Sequence, residues 1–323
     1  MLGSCGYDAG LIMASGHTAA IVFAGLGAVL FSAKAIVVKL SYQHGSDAAT
    51  VLALRMVFAM PFFWAAVWWE SRRKTVRAIA MSDKARLWLL GFIGYYVSSY
   101  LDFWGLEYIS VGLERIILYL NPTLVLLISA FVLKKHIRGI QWVAMVVAYA
   151  GVLVVFAHDV KTQAGSGVLL GAALVFLCAL TYAIYLIMAG EVVSRVGSIR
   201  TVAHASTSAT VFCVIHALVA DPTAMMHQSP SVYSLAIFNA TLCTFVPMLL
   251  TMVAVSRVGS SLTAQAGAVG PVATVYLGWA FLGEPITVTQ LIGMAIVLVS
   301  VALLLRINGP GGRATPIHSD SNG

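Results

Sequence analysis

"YLNPTLVLLISAFVLKKHIRGIQWVAMVVAYAGVL" (residues 119–153) and "AVGPVATVYLGWAFLGEPITVTQLIGMAIVLVSVA" (residues 268–302) align without a gap when the chain is shifted by 149 residues. Pro122 meets Pro271, and Gln141 meets Gln290. Each stretch reads as an apolar run, a short loop and a second apolar run. An ungapped register across that whole unit marks an internal repeat. The two loops differ in charge. "KKHIR" (134–138) carries Lys134, Lys135 and Arg138, whereas "GEPIT" (283–287) has no Lys or Arg. Because Lys and Arg collect in cytoplasmic loops, equivalent loops face opposite sides. The two copies are therefore expected to be inverted.

The rest of the chain fits a bilayer. Of 323 residues, 60% are hydrophobic and 10% charged, and the mean hydropathy is +0.93. A soluble domain carries about 25% charged residues. About 20 apolar residues span a membrane core. Ten such stretches are predicted, near 18–40, 48–69, 87–106, 110–133, 139–157, 167–189, 201–219, 233–255, 261–282 and 287–305. The expected fold is thus an all-α integral membrane protein with ten transmembrane helices in two inverted five-helix repeats, 18–157 and 167–306. Residues 1–17 read as a cytoplasmic N-terminal segment without a signal peptide, with Met13 as an alternative start. The Gly-, Pro- and Ser-rich stretch 307–323 reads as a disordered cytoplasmic tail.

Charge sets the orientation. Of the 19 Lys and Arg, 14 fall in alternate loops and the tail, which places both termini in the cytoplasm. Arg257 is expected in the loop between the eighth and ninth spans. The net charge of +7 therefore reports topology, and no nucleic-acid partner is expected. The four cysteines show no CxxC spacing, so neither a metal site nor a disulfide framework is implied. HExxH and GxSxG do not occur, and the chain is not read as an enzyme. No cofactor is expected. The partners expected are a small-molecule substrate and the lipid bilayer, with the oligomeric state left open.

"GLEYISVGLERIILYLNP", "VSRVGSSLTAQAGAVGPVATVYLGWAFLGEPITVTQLIGM" and "LALRMVFAMPFF" resemble regions of the drug/metabolite transporter superfamily, in its bacterial EamA-type branch. The resemblance implies ten helices in two inverted repeats around a central cavity. Helices 1–4 and 6–9 would line the cavity, with helices 5 and 10 outside it. It also implies a multi-pass protein of the bacterial inner membrane that exports amino-acid-like or other carboxylate-bearing metabolites by alternating access. A uniporter or channel-like permease, or a nucleotide-sugar or sugar-phosphate exchanger, is the alternative. Lys34, Glu114 and Arg115 depart from the usual family pattern.

Those departures belong to a set of five charges set deep in apolar spans: Lys34, Arg55, Asp102, Glu114 and Arg115. Each costs at least about 2.5–3.5 kcal/mol to insert. Counted along their helices at ~1.5 Å per residue, all five fall about 6–10 Å below the outer surface. Groups from four helices at one depth can pair. The repeat counterparts of four of them are neutral: a shift of 148 places Lys34 on Tyr182, and the shift of 149 places Asp102 on Thr251, Glu114 on Thr263 and Arg115 on Ala264. Three readings stand: a substrate anchor, an extracellular gate, or a static network. Asp102 and Glu114 are the candidates for proton coupling. Tyr95, Ser98, Ser99 and Asp102 are expected on one face, as are Arg115, Tyr119 and Pro122. Tyr182 and Gln265 are candidates for the opposite wall. Lys39 is expected to snorkel to the surface.

Overall fold

The computed structural model describes residues 5–72, 79–132, 134, 137–162, 167–267 and 269–308, and among these every regular element is helical. Helix α1 spans Cys5–Gln43. Helix α2 (Ala48–Ser71) starts at Asp47, whose carboxylate accepts the Thr50 N–H. Helix α3 (Met81–Leu90) passes through a π-helical stretch, Gly91–Val97, into α4 (Ser98–Leu106). The Ser110 hydroxyl caps α5 (Val111–Leu118), which is followed by α6 (Asn121–Val132) and α7 (Gly139–Thr162). Next come α8 (Val168–Val196) and α9 (Ser198–Ala220). Helix α10 (Pro230–Ala240) runs through a second π-helical stretch, Thr241–Phe245, into α11 (Val246–Ala266). The last two are α12 (Val269–Leu282) and α13 (Val288–Asn308).

Among the described residues, seven segments are long and apolar enough to cross a membrane, and Val269–Leu282 and Val288–Leu304 are shorter apolar helices. The predicted third span runs through α3, its π-helical stretch and α4 and is not among the seven. Helix α1 starts thirteen residues before the predicted span, so its 39 residues reach ~58 Å, well beyond a ~30 Å apolar core. The loop expected around Arg257 is instead helical. Residues 246–266 form one helix, whose one proline, Pro247, sits in the first turn where its missing N–H costs nothing, and the chain breaks at Gly267. Most of the predicted tail, 309–323, lies outside the described residues.

Two breaks occupy equivalent places. Helices α5 and α6 are parted at Tyr119–Leu120, just before Pro122. Helices α11 and α12 are parted around Gly267, just before Pro271. Proline has no N–H to give to the preceding turn, so the helix ends ahead of it. The two π-helical stretches also match under the 149-residue shift.

Packing brings distant helices together. Helix α1 lies against α10, α11 and α12, helix α2 against α9 and α10, helix α8 against α4, α5 and α6, and helix α7 against α13. Small residues allow close backbone approach within apolar surroundings. A Cβ on Gly171 would stand 2.9 Å from the Gly105 carbonyl oxygen. At the α7–α13 contact a Cβ on Gly151 would stand 3.0 Å from the Gly293 carbonyl oxygen.

A methyl group at Gly91 would run into the Ala205 backbone carbonyl of α9, which cannot yield without moving the helix. Gly91→Ala is therefore expected to lower the thermal midpoint of the detergent-solubilised protein, at a cost of about 1–3 kcal/mol. Gly25→Ala, where nothing lies within 4 Å, should leave the midpoint level or raise it.

Candidate functional site

Helices α1, α2, α4 and α5 each deliver charge to one buried cluster. Lys34, Arg55, Asp102, Glu114 and Arg115 are all at most 6% exposed. Lys34 Nζ donates to Asp102 Oδ2 at 2.6 Å, joining α1 to α4. Arg55 Nη2 donates to Ser99 Oγ at 3.2 Å. Arg115 Nε stands 3.7 Å from Glu114 Oε2, close enough for attraction but too long for a hydrogen bond. Glu114 is also within electrostatic reach of Asp102 and Lys34. The shared depth inferred from residue counting thus corresponds to a real cluster.

Two aromatic rings tie the cations together, and neither was singled out from sequence. The Phe103 ring faces Arg55 at 4.9 Å and Lys34 at 5.8 Å. The Phe31 ring faces Lys34 at 5.3 Å and Arg115 at 5.6 Å. Cation–π attraction strengthens away from water. The available signal was an aromatic residue beside Asp102, and another one helical turn before Lys34.

The single polar stripe expected on α4 divides. Tyr95 meets the Tyr185 ring of α8 at 5.4 Å, and Ser98 Oγ lies 3.3 Å from Cys178 Sγ, also in α8. Ser99 instead faces Arg55 of α2, and Asp102 faces Lys34 of α1. The π-helical stretch over 91–97 changes the angular spacing at Tyr95, and consecutive serines point to different partners. Tyr182 stacks on Tyr185 and is 39% exposed. The Gln265 side chain lies outside the described residues, although its backbone belongs to α11.

Tyr119 stands at one helix break and donates its hydroxyl hydrogen to the Gly267 carbonyl, at the other break, at 2.9 Å. Ser32 Oγ donates to the Gly270 carbonyl at 2.8 Å. These bonds satisfy carbonyls near the second break, which water cannot reach in a bilayer core. A crevice too tight to admit a water molecule lies beside the first break, lined by Ile116, Tyr119, Pro271, Met294, Val297 and Leu298.

Lys39 does not simply snorkel. Its Nζ pairs with Glu284 Oε1 at 3.0 Å. Glu107, at the end of α4, is exposed. Partial desolvation raises its carboxyl above the ordinary range, the Ala48 N–H pulls it back, and Asp47 adds a smaller upward push. Among the described residues no three His, Cys, Asp or Glu side chains are grouped to hold a metal.

Comparison with known proteins agrees with this architecture. The model of the EamA-like transporter family matches residues 18–157 and 169–306. The uncharacterized transporter YcbK of Bacillus subtilis (strain 168) is 29% identical over 285 residues, covering 85% of this chain and 89% of that protein. The uncharacterized transporter YyaM of the same organism is 26% identical over 218 residues, covering 66% and 70%. A protein of known crystal structure shares the fold with a TM-score of 0.61 at 17% identity, covering 90% of this chain and 98% of that one.

Removing one member of the Lys34–Asp102 pair strands the other. Lys34→Met is expected to destabilise the protein by ~3–5 kcal/mol. Lys34→Met/Asp102→Asn should regain most of that loss. Thermal midpoints of the two single variants and the double variant in detergent measure the coupling.

Proposed function

The chain belongs to the EamA-like transporter family, and on that premise we propose that it exports small carboxylate-bearing metabolites, amino-acid-like compounds among them, as a secondary transporter working by alternating access. One observation carries the reading. Arg55 Nε, Arg115 Nε and Nη2, both Glu114 oxygens and Asp102 Oδ1 are buried without a hydrogen-bond partner. Each unsatisfied buried polar atom costs ~1–3 kcal/mol, and more when charged. A solute with a carboxylate would satisfy the guanidinium donors, and a donor group on it would satisfy the carboxyl oxygens. Three cations against two carboxylates leave one positive charge, which favours an anionic group. Asp102 and Glu114 are the residues we assign to a coupling proton. A proton shared between two neighbouring carboxyls would occupy an orphaned oxygen on each.

In this reading ten crossing segments form two inverted five-helix repeats, 18–157 and 167–306. The chain sits in a bacterial inner membrane with both termini in the cytoplasm. The matched breaks and matched π-helical stretches support it. So does the packing. Exchanging the halves turns the α1–α11 contact into α8–α4, turns α1–α12 into α8–α6, and returns α2–α9 and α7–α13 to themselves, and all of these pairs are in contact. Inverted repeats of this kind put the substrate site at the repeat interface. Because Lys34 and Asp102 are already closely paired, they also suit a gate that parts when the outer side opens.

Vesicles containing the purified protein are expected to take up labelled solutes from a panel of amino acids and short carboxylic acids, faster with a pH gradient. Glu114→Gln and Arg115→Met should each cut that flux at least tenfold while still yielding folded protein. Parental flux in Lys34→Met/Asp102→Asn and in both of these variants would reduce the layer to a scaffold. For orientation, a cysteine at Ile286 should react with an impermeant thiol reagent on intact cells, and one at Arg138 should not.

A further inference from the structure

Glu284 lies in the short α12–α13 loop and makes contacts to two different helices. Its Oε1 pairs with Lys39 of α1 at 3.0 Å. Its Oε2 accepts the Val111 N–H at 3.1 Å, and Oε1 accepts the same N–H at 3.3 Å. Val111 opens α5, where backbone N–H groups have no partner inside the helix and where the helix dipole favours an anion. The ion pair is partly shielded, since the Lys39 and Glu284 side chains are 22% and 20% exposed. The loop that carries Glu284 is shaped for this contact. Gly283 turns it at φ +68°, and the Glu284 N–H is bonded to the Gly278 carbonyl at 3.2 Å. A second grip lies one residue further along α5. The Gln290 amide of α13 rests where a side chain on Gly112 would stand.

The helices held in this way are those that carry the buried charges. Lys39 lies five residues beyond Lys34, and Val111 three residues before Glu114. The loop 283–287 comes from the second half of the chain, whereas both of its partners belong to the first. We propose that Glu284 is a latch that closes the charged layer at the end of the molecule where α1 terminates. It would fasten the α12–α13 loop across the ends of α1 and α5 and release when that side opens. This rests on the reading of the layer as part of the translocation path.

Cys178 is a built-in reporter. It is buried against Ser98 and lies within electrostatic reach of Lys34, Asp102 and Glu114. With Cys5, Cys213 and Cys243 changed to serine, its labelling by the impermeant anion sulfonatoethyl methanethiosulfonate can be timed in vesicles. Lys39→Met removes the cation and keeps the cap on α5. Glu284→Gln removes the charge and keeps an oxygen for the Val111 N–H. Both are expected to speed labelling from the loop side at least fivefold, and the double variant should add little. Ser110→Ala, which frays the same end of α5 without touching the pair, should not speed it. Unchanged labelling in both monodisperse single variants, or equal acceleration in Ser110→Ala, overturns the latch. Solute flux in the parental vesicles decides the transport reading separately. Faster labelling with no parental flux keeps the latch and removes that reading, and unchanged labelling with robust flux does the reverse.

Discussion

The Lys34–Asp102 ion pair is the contact on which the first half of the molecule depends. Two charges that are each costly in an apolar core are brought to 2.6 Å, and their union fixes the register of α1 against α4. Everything else in the layer is placed relative to it. Phe103 follows Asp102 and receives Arg55, and Phe31 precedes Lys34 by a turn and receives Arg115. A buried pair of this kind gives little net stability compared with an apolar substitute, but losing one member is costly. Breaking the pair by sliding α1 against α4 would leave an uncompensated buried charge, which penalises other registers of these two helices.

The backbone obeys a parallel constraint. In a bilayer core each peptide group must find its partner within the protein. The prolines at 122 and 271 each follow a helix break, and the chain answers with side chains from elsewhere. Tyr119, at one break, serves the carbonyl of Gly267 at the other. Ser32 of α1 serves Gly270. The two irregular points of the fold thus stabilise one another, and a helix from the opposite half completes the arrangement.

Much of this was legible in the sequence, for physical reasons. Membrane spans are read from hydropathy, because the core demands length and apolarity, and the seven long segments fall where predicted. The pairing of buried charges was legible because depth follows from residue count. The π-helical stretches were not, since widening a turn leaves no mark in residue type, and with them went the direction of Tyr95 and Ser98. The course of α11 past Arg257 was missed because an arginine, a glycine and serines resemble a loop there, while the break requires the glycine and proline further on. Lys39 was read as a snorkelling cation, and the loop that carries Glu284 only for its lack of Lys and Arg. Their meeting is a long-range contact that no local pattern encodes.

The contact between Gly112 and Gln290 has a consequence of another kind. The amide of Gln290 occupies the space in which any side chain at position 112 would begin. Neither position can change freely while the other stays fixed. In an alignment of related chains the two columns should covary: glycine at the first wherever a long side chain fills the second, and a larger residue at the first only where the second has shortened.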